Sequence, residues 1–530
     1  MISTSNQNNS QFFDLIIIGS GPGGYVAAVR AAQLGFSVAI IERENLGGIC
    51  LNWGCIPTKA LLRSAELYHK MKNSAEYGIK CSDIEFDISK IVERSRNISS
   101  QLNQGIQTLM KKNKVTIING EVIKITKSNN YNNNLCSEKK FSEKNDYNLL
   151  KYQIDVNKKN IEFTQQEYKS TYEAKYIIIA TGAKPRELPN LRIDNNRVWN
   201  YRDAMTPKRL PKSIAIVGSG AIGVEFACFY AMLDVDVSII EISDRILINE
   251  DKEISSIAMK SFIQNGIKIY TNSTINEVTD NTLVINTIKN GKNEKNEKNE
   301  KNEKNGKNDE IIRTTIECEH IISAVGITPN SLDLGLQNIG IKLDKNNYIN
   351  INEKCMTSAD NVYAIGDVAG PPCLAHKASH QAIHCIDNIG YIEGLVKSPP
   401  HSINMKNIPA CTYTTPQIAS IGHTEDSAIE AGYKINVGRF PSYANGKALT
   451  MGGKSAISGM SKMIFCKDTG EILGAHMIGE EVTEIIHSIS IAMNSELISD
   501  DLISSIFPHP TISEMLPEAS MAAYSRSIHL

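Results

Sequence analysis

The sequence predicts an α/β protein with two Rossmann-like dinucleotide-binding domains, followed by an α+β C-terminal domain. Two observations carry this prediction: a glycine fingerprint opens at Gly19 and another at Gly218, each between a short apolar strand and an apolar helix. The third observation is length, since 530 residues exceed what one hydrophobic core organises. Several domains are therefore expected.

Bulk composition excludes several classes of function. The net charge is −2 and 41% of residues are apolar, so no charge surplus favours nucleic acid or a membrane surface. No apolar run approaches the roughly 18 residues that span a bilayer. Residues 1–13 are polar and lack Lys and Arg, which fits neither a secretory signal nor a transit peptide. We expect a cytoplasmic protein, with an organellar matrix as the alternative.

The first fingerprint lies between a strand predicted over 14–19 and a helix predicted over 25–34. Its glycines permit a tight turn and close approach of the backbone to a pyrophosphate, which the helix N-terminus stabilises. Glu42 ends the next strand, 23 residues after the first glycine, where a carboxylate accepts hydrogen bonds from ribose hydroxyls. The fingerprint glycines are Gly19, Gly21 and Gly24.

The second fingerprint repeats this pattern after a strand predicted over 213–217. Glu241 again follows its first glycine by 23 residues. A carboxylate there repels a 2′-phosphate and accepts from a free 2′-hydroxyl, which favours NAD over NADP. The glycines of this second fingerprint are Gly218, Gly220 and Gly223. Two complete fingerprints predict two bound dinucleotides.

Cys50 and Cys55 sit just after the first βαβ unit. In a regular helix residues five apart are too distant for a disulfide, which needs Cα atoms within about 7 Å. The backbone must therefore leave helical geometry between them, as Gly54 permits, before a helix that starts near Pro57. The alternatives are unrelated buried thiols or half a zinc site, but no second close pair exists among the 11 cysteines, and no metal is predicted. A reducible disulfide beside a nucleotide favours redox chemistry.

Two polar segments interrupt the domain pattern. Residues 128–166 are rich in Asn, Lys and Tyr and are predicted to extend a β-hairpin region as a surface insertion. A Lys-Asn-Glu repeat over about 289–309 cannot build a core and is predicted to be a loop expansion between strands. A tether for a partner is the alternative function of that repeat.

Taken together, these motifs resemble the flavoprotein disulfide reductases, the class I pyridine nucleotide-disulfide oxidoreductases, over nearly the whole chain. The resemblance implies FAD at the first fingerprint, NAD at the second, and Cys50–Cys55 as the redox disulfide. It also implies that Lys59 lies beside the flavin and pairs with Glu225. Further implied FAD contacts are Gly120, Thr181, Gly182, Asp367, Cys373, Leu374, Ala375 and His376, and further NAD contacts are Val278 and Gly326.

The segment from His509 to Glu514 resembles the acid–base dyad of that family. An imidazole beside a thiolate exchanges protons near neutral pH, and Glu514 would fix its tautomer and stabilise the imidazolium. In the family this histidine reaches the active site of the other subunit, which implies a homodimer. The chain departs from the family at Ser379-His-Gln381, where the family often has an acidic residue. The resemblance therefore does not determine the FAD contacts at these positions.

The implied activity is oxidation of protein-bound dihydrolipoyl groups with NAD⁺, with the lipoyl domains of 2-oxoacid dehydrogenase complexes, or of glycine cleavage, as partners. The implied domains are FAD-binding (1–188), NAD-binding (189–326), central (327–405) and interface or dimerisation (406–530). Two other assignments stay open: a glutathione-type or mercuric reductase, and a non-catalytic flavoprotein scaffold. Glu241 disfavours a glutathione-type reductase, since such enzymes use NADPH. Residues 525–530 lack the cysteine pair that mercuric reductases carry there, which disfavours that assignment. The intact Cys50, Cys55 and His509 disfavour a scaffold.

Overall fold

The computed structural model describes residues 11–128, 151–159, 167–289, 310–452 and 458–530. The repeat predicted over 289–309 therefore lies, apart from residue 289, outside the described residues. The strands are β1 Gln11–Ile18, β2 Val38–Glu42, β3 Thr116–Asn119, β4 Glu121–Lys127, β5 Tyr152–Lys159, β6 Glu167–Ile179, β7 Ala183–Pro185, β8 Val198–Trp199, β9 Ser213–Val217, β10 Asp236–Ile240, β11 Lys268–Tyr270, β12 Ser273–Val278, β13 Thr282–Lys289, β14 Glu310–Glu317, β15 His320–Ser323, β16 Ile327–Pro329, β17 Val362–Ala364, β18 Ala410–Thr412, β19 Gln417–Gly422, β20 Ile435–Pro441, β21 Met460–Cys466 and β22 Ile472–Gly479.

The α-helices are α1 Pro22–Gln33, α2 Gly48–Trp53, α3 Cys55–Lys72, α4 Ile88–Lys112, α5 Tyr201–Met205, α6 Ala221–Met232, α7 Lys252–Gln264, α8 Ala375–Ile392, α9 Glu425–Glu430, α10 Gly446–Met451, α11 Val482–Asn494, α12 Ser499–Ser504 and α13 Met515–Ala522. Short 3-10 helices cover Ser74–Tyr77, Leu332–Leu334, Leu336–Ile339, Gly366–Ala369, Met405–Asn407, Ser442–Ala444 and Ile512–Glu514.

The chain forms two compact units, and the first comprises residues 1–57, 96–184 and 327–403. Its sheet has the order β3-β2-β1-β6-β5-β4, and β17 also pairs with β6. The pairings around β1, β2, β3, β6 and β17 are parallel, and those around β5 are antiparallel. Helices α1 and α8 bury alanines and aliphatic side chains against one face of this sheet. The parallel strands end together, where the first fingerprint lies.

The second unit comprises residues 58–95, 185–326 and 404–530. It contains a parallel sheet of order β11-β10-β9-β15-β8 and a three-stranded antiparallel sheet, β12-β13-β14. A five-stranded antiparallel sheet, β18-β19-β22-β21-β20, packs against helices α11 and α13. The predicted fold class, two Rossmann-like cores with an α+β C-terminal part, is confirmed.

Most predicted elements form close to their predicted bounds, with three differences. Helix α1 begins at Pro22 rather than at residue 25. Helix α3 begins at Cys55 rather than near Pro57, because a proline in the first turn of a helix costs no hydrogen bond. The predicted surface insertion over 128–166 is too wide, since Tyr152, Ile154 and Val156 are fully buried in β5. Their period-two alternation identifies a half-buried strand. Residues 129–150 and 160–166 lie outside the described residues.

No helix among the described residues is long and apolar enough to cross a membrane.

Candidate active site

The first nucleotide cradle is a tight turn between β1 and α1. Gly24 belongs to the first turn of α1, and a Cβ placed there would lie 1.9 Å from the carbonyl oxygen of Gly19. Gly19 itself has φ +95°, and its added Cβ would lie 2.4 Å from the carbonyl oxygen of Ala180. Among the described residues, no atom beyond the chain neighbours of Gly21 lies within 4 Å of a Cβ placed there, so the turn is open to a ligand at this point. This is the shape that a pyrophosphate requires at a helix N-terminus.

Glu42 is held at the end of β2 by hydrogen bonds from the backbone. Its Oε2 accepts from the backbone N of Ser20 at 3.0 Å and from the Ser20 hydroxyl at 2.5 Å. Its Oε1 accepts from the backbone N of Glu44 at 2.8 Å. The carboxylate is therefore fixed beside the fingerprint, where a dinucleotide ribose is expected.

The second cradle, between β9 and α6, repeats the first almost bond for bond. A Cβ on Gly223 would lie 2.0 Å from the carbonyl oxygen of Gly218. Glu241 accepts from the backbone N of Ser219 at 2.9 Å and from the backbone N of Ser243 at 2.8 Å. Burial works to raise the pKa of Glu241, but the Ser219 and Ser243 donors outweigh it and lower the pKa. The carboxylate that disfavours a 2′-phosphate is thus anionic at neutral pH.

The predicted disulfide forms at a break between two helices. Cys50 lies in α2, Cys55 opens α3, and Gly54 between them has φ −147° and ψ −113°. The two Cα atoms are 4.7 Å apart, so the expected departure from helical geometry is present. At the start of α2, a Cβ on Gly48 would lie 2.6 Å from the Cα of Gly21. The segment that carries the disulfide is therefore pressed directly against the first cradle.

Lys59, four residues after Cys55 on α3, pairs with Glu225 as the sequence predicts. Its Nζ lies 2.9 Å and 2.8 Å from the two carboxylate oxygens, and Glu225 is only 5% exposed. The backbone N of Tyr413 donates to the same carboxylate at 2.9 Å, and the Lys59 ammonium lies 4.6 Å from the centre of the Tyr413 ring. Tyr413 was not predicted, because it lies far away in the sequence in an unremarkable β-rich stretch.

The remaining residues predicted to contact FAD in the first half of the chain lie at turns after strands of the first sheet. Asn330 fixes one turn: its backbone N donates to Gly182 at 2.9 Å, and its carbonyl accepts from the Thr181 hydroxyl at 2.7 Å. Gly120 donates its N–H to the Glu42 carbonyl at 2.8 Å, which joins the turn after β3 to the end of β2. The sequence predicted a role for Gly326 at the start of this segment, but not the hydrogen bonds by which Asn330 holds the turn at Thr181.

Asp367 is half-buried in the turn after β17, and this burial raises the pKa of its carboxyl, an effect that Lys377 opposes. Lys377 donates to the carbonyl oxygens of Gly366 at 3.2 Å and Gly370 at 2.5 Å. Gln381, in the segment where the chain departs from the family, accepts from the backbone N of Gly366 at 2.9 Å. Lys377 and Gln381 thus hold the turn that carries Asp367, although neither was predicted as a site residue.

The predicted contacts Cys373, Leu374, Ala375 and His376 run from this turn into the first turn of α8. Leu374 is the N-cap and Ala375 the first helical residue. Burial raises the pKa of the Cys373 thiol to about 11, so it stays neutral near pH 7. The start of α8 therefore offers backbone donors to a ligand.

The two remaining residues predicted to contact NAD lie in the second unit. Val278 ends β12, and Gly326, with φ +99°, accepts from the backbone N of Arg186 at 3.0 Å. Within the described residues, no group of three or more His, Cys, Asp or Glu side chains is arranged to hold a metal ion.

His509 and Glu514 form the predicted dyad just before α13. His509 Nδ1 lies 2.9 Å from Glu514 Oε1, and the other carboxylate oxygen accepts from the backbone N of Thr511 at 2.8 Å. Partial burial works to raise the pKa of Glu514, but the Thr511 N–H and then His509 outweigh it and lower the pKa. The His509 side chain is 78% exposed. An anionic carboxylate thus holds one ring nitrogen of an imidazole at the surface of the unit.

Oxidoreductases that transfer electron pairs between thiols and nucleotides place a disulfide next to the nucleotide-binding turn. The fold and the site therefore define this protein as an oxidoreductase of that class. Residues 13–382 match the family described as pyridine nucleotide-disulphide oxidoreductase, and residues 408–520 match its dimerisation domain. The chain belongs to the pyridine nucleotide-disulphide oxidoreductase family. The predictions of that family and of an oxidoreductase are confirmed.

Similar proteins agree with this assignment. A dihydrolipoyl dehydrogenase of Zymomonas mobilis is 42% identical, covering 98% of this chain and 99% of its own length. One of Rhizobium etli is 43% identical, covering 98% and 100%. The crystal structure of LpdA from Mycobacterium tuberculosis superposes with a TM-score of 0.78 at 22% identity, over 96% of this chain and 99% of that one, which supports the fold.

Proposed function

We propose that this protein oxidises protein-bound dihydrolipoyl groups to lipoyl disulfides with NAD⁺, as a shared component of 2-oxoacid dehydrogenase complexes. The observation that carries the proposal is the Cys50–Cys55 disulfide at the helix break behind the first cradle. The substrate class follows from full-length similarity to relatives named dihydrolipoyl dehydrogenase.

FAD fits the first cradle, because the turn at Gly21 is open and Glu42 is fixed beside it. When bound, FAD supplies the step that carries an electron pair between the dithiol and NAD⁺. The backbone of the fingerprint binds its pyrophosphate, Glu42 binds a ribose, and Asp367 binds a further hydroxyl. Lys59 is held in an ion pair with Glu225.

Thiol chemistry needs a base and a leaving group. The partner subunit's His509 takes the proton of one dihydrolipoyl thiol, and the resulting thiolate attacks the sulfur of Cys50. The Cys50–Cys55 bond breaks and Cys55 leaves as a thiolate. The second substrate thiol then attacks the substrate sulfur of the mixed disulfide, its proton passes to the departing Cys50 sulfur, and the lipoyl disulfide is released with Cys50 as a thiol. The partner subunit's Glu514 keeps the imidazole oriented and stabilises its protonated form.

This scheme requires a homodimer, for which the matched dimerisation domain is the support. We propose the division into FAD-binding (1–188), NAD-binding (189–326), central (327–405) and interface (406–530) domains, and a cytoplasmic location. NAD is preferred over NADP because Glu241 occupies the position that accepts the 2′-hydroxyl.

A steady-state assay with dihydrolipoamide tests the proposal. We expect turnover with NAD⁺ and at least about tenfold lower kcat/KM with NADP⁺, because charged hydrogen bonds contribute roughly 1.5–3 kcal/mol. Reduction of glutathione disulfide by NADPH is the matched control and should stay at background. Equal use of the two nucleotides, or faster turnover of glutathione, would contradict the proposal.

A further inference from the structure

Helix α2, which carries Cys50, is too short to be stable without contacts to the rest of the protein. It is only six residues long, and isolated helices of that length are unstable in water. Its last carbonyl groups have no partners within the helix, since the chain breaks at Gly54. When the disulfide opens, the covalent link between Cys50 and Cys55 disappears. Something else must then keep the two thiols close enough to close again.

One face of α4 makes three contacts with this segment and with the chain that leads into it. Arg96 Nη2 donates to the carbonyl oxygen of Asn52 at 2.5 Å, and its guanidinium lies 4.1 Å from the centre of the Trp53 ring. Seven residues on, Asn103 Nδ2 donates to the carbonyl oxygen of Leu46 at 2.7 Å. Residues spaced by seven share one helix face. Arg96 holds the end of α2, and Asn103 holds the chain that leads into it.

The Arg96 contacts suit the end of a short helix. A cation at a helix C-terminus is stabilised by the partial negative charge of the unpaired carbonyls. A guanidinium also stacks on an indole while its N–H groups bond elsewhere, which an ammonium does less well. Both contacts involve Asn52 and Trp53, which lie between the two cysteines. They do not depend on the disulfide bond itself.

We propose that Arg96 is a positioning residue of the redox pair, which keeps α2 ordered in the dithiol state so that Cys50 and Cys55 readily re-form their bond. This inference rests on the proposed redox role of the pair. Without Arg96, the disulfide still orders α2 in the oxidised protein, but the reduced segment gains conformational freedom. That gain favours the dithiol.

The test is the equilibrium with dithiothreitol, measured on the holoenzyme without lipoyl substrate or NAD⁺. One dithiothreitol dithiol passes two electrons and two protons to the protein disulfide and becomes the cyclic disulfide. Alkylation and mass spectrometry give the fraction of reduced Cys50–Cys55 at each ratio of reduced to oxidised dithiothreitol. We expect Arg96→Met to shift the equilibrium constant toward the dithiol by about tenfold, as the loss of a charged hydrogen bond predicts.

Three variants separate positioning from general damage. Arg96→Lys keeps a cationic donor and should restore the constant to within about threefold of wild type, because only the planar stacking is lost. Asn103→Ala should shift it in the same direction by less, and it carries the test if Arg96→Met does not fold. Lys90→Met removes a cation from the same helix whose side chain is 75% exposed, and should change nothing.

A spectroscopic readout accompanies the equilibrium. Trp53 is one of two tryptophans, so its emission is measured in a Trp199→Phe background. On reduction, emission should stay constant with Arg96 present and move to longer wavelength in Arg96→Met, as the ring is released to water. Wild-type values for both the constant and the emission in Arg96→Met would overturn the inference. A wild-type pair that does not exchange with dithiothreitol would instead overturn the redox role.

Discussion

The two nucleotide cradles have the same hydrogen bonds as far as Gly47 in the first and Leu247 in the second, and their chains differ from the next residue onward. Glu42 bonds the backbone N and hydroxyl of Ser20, and Glu241 does the same with Ser219. In the first cradle the backbone N of Gly47 returns to the Ser20 carbonyl at 3.0 Å. In the second cradle, the backbone N of Leu247 donates the corresponding hydrogen bond to the Ser219 carbonyl at 3.2 Å. Both cradles can therefore hold a dinucleotide.

The next residue separates them. Gly48 lies against Gly21 and opens the helix that carries Cys50. In the second unit Ile248 is exposed, and the chain continues to Asp251, which caps α7. The two cradles thus share the same turn, and the first is followed directly by the helix that carries Cys50 of the disulfide.

The largest expected effect comes from removing the disulfide, the feature that distinguishes the first cradle from the second. Cys55→Ser should abolish oxidation of dihydrolipoamide while FAD stays bound, because Cys50 alone cannot form the disulfide that the substrate thiolate attacks. Turnover and the flavin spectrum are measured together. Cys81→Ser, at an exposed free cysteine, is the matched control and should behave as wild type. Normal turnover by Cys55→Ser would refute the assignment.

The proposed acid–base residue, His509, lies in the second unit, whereas the Cys50–Cys55 pair lies in the first. His509→Gln should slow oxidation of dihydrolipoamide by about 10²–10⁴, the usual contribution of positioned acid–base catalysis. Glu514→Gln should cost less, because the imidazole remains and loses only its anionic partner. Electron transfer from NADH to an artificial acceptor needs no thiol deprotonation and serves as the internal control. Equal loss in both assays would show that His509 is structural.

A matched pair of glycine substitutions tests whether the cradles bind different cofactors. Gly24→Ala should weaken FAD binding, and Gly223→Ala should leave the flavin spectrum intact but raise KM for NAD⁺. Each added methyl meets a carbonyl oxygen at 1.9 Å or 2.0 Å, and overpacking costs about 1–3 kcal/mol, or roughly 5- to 150-fold. Loss of flavin from Gly223→Ala with Gly24→Ala unaffected would reverse the assignment.

Glu241 gives a smaller and more specific effect. Glu241→Gln should raise KM for NAD⁺ by about tenfold and narrow the preference over NADP⁺, because the amide is a weaker acceptor and does not repel a phosphate. The kcat for NAD⁺ should change little. If the preference stays as in wild type, the carboxylate does not select the nucleotide.

The last expected effect concerns the stability of the second unit rather than its activity. Glu250 lies one residue before the α7 cap, and burial raises the pKa of its carboxyl to about 7. Because the folded pKa exceeds the unfolded one, the folded state binds the extra proton, and the free energy of unfolding falls as pH rises from about 4.5 to 7. Glu250→Gln should therefore stabilise the protein by about 3 kcal/mol at pH 8 and much less at pH 4.5, since one pKa unit corresponds to about 1.4 kcal/mol. Thermal unfolding at both pH values measures this difference.

The sequence predicted the features that depend on residues close together in the chain. Each cradle is a continuous motif, and the break at Gly54 followed from the reach of a disulfide alone. The strand around Ile154 was assigned to an insertion because its Asn- and Lys-rich surroundings outweighed a clear alternation. Arg96 was missed because only the tertiary fold brings it to Asn52, 44 residues away, and no motif records that approach. Gln381 was noticed only as a departure from the family, whereas it holds the Gly366 turn.

Anaerobic titration of the wild-type protein with dihydrolipoamide tests the central claim most directly. Addition of one equivalent should reduce the Cys50–Cys55 pair and produce a long-wavelength absorbance, because the Cys55 thiolate then lies beside the oxidised flavin. NAD⁺ should remove that band, and NADP⁺ should remove it far more slowly. A yellow protein that bleaches in a single step without the band would contradict the claim that the disulfide behind the first cradle passes electrons to FAD.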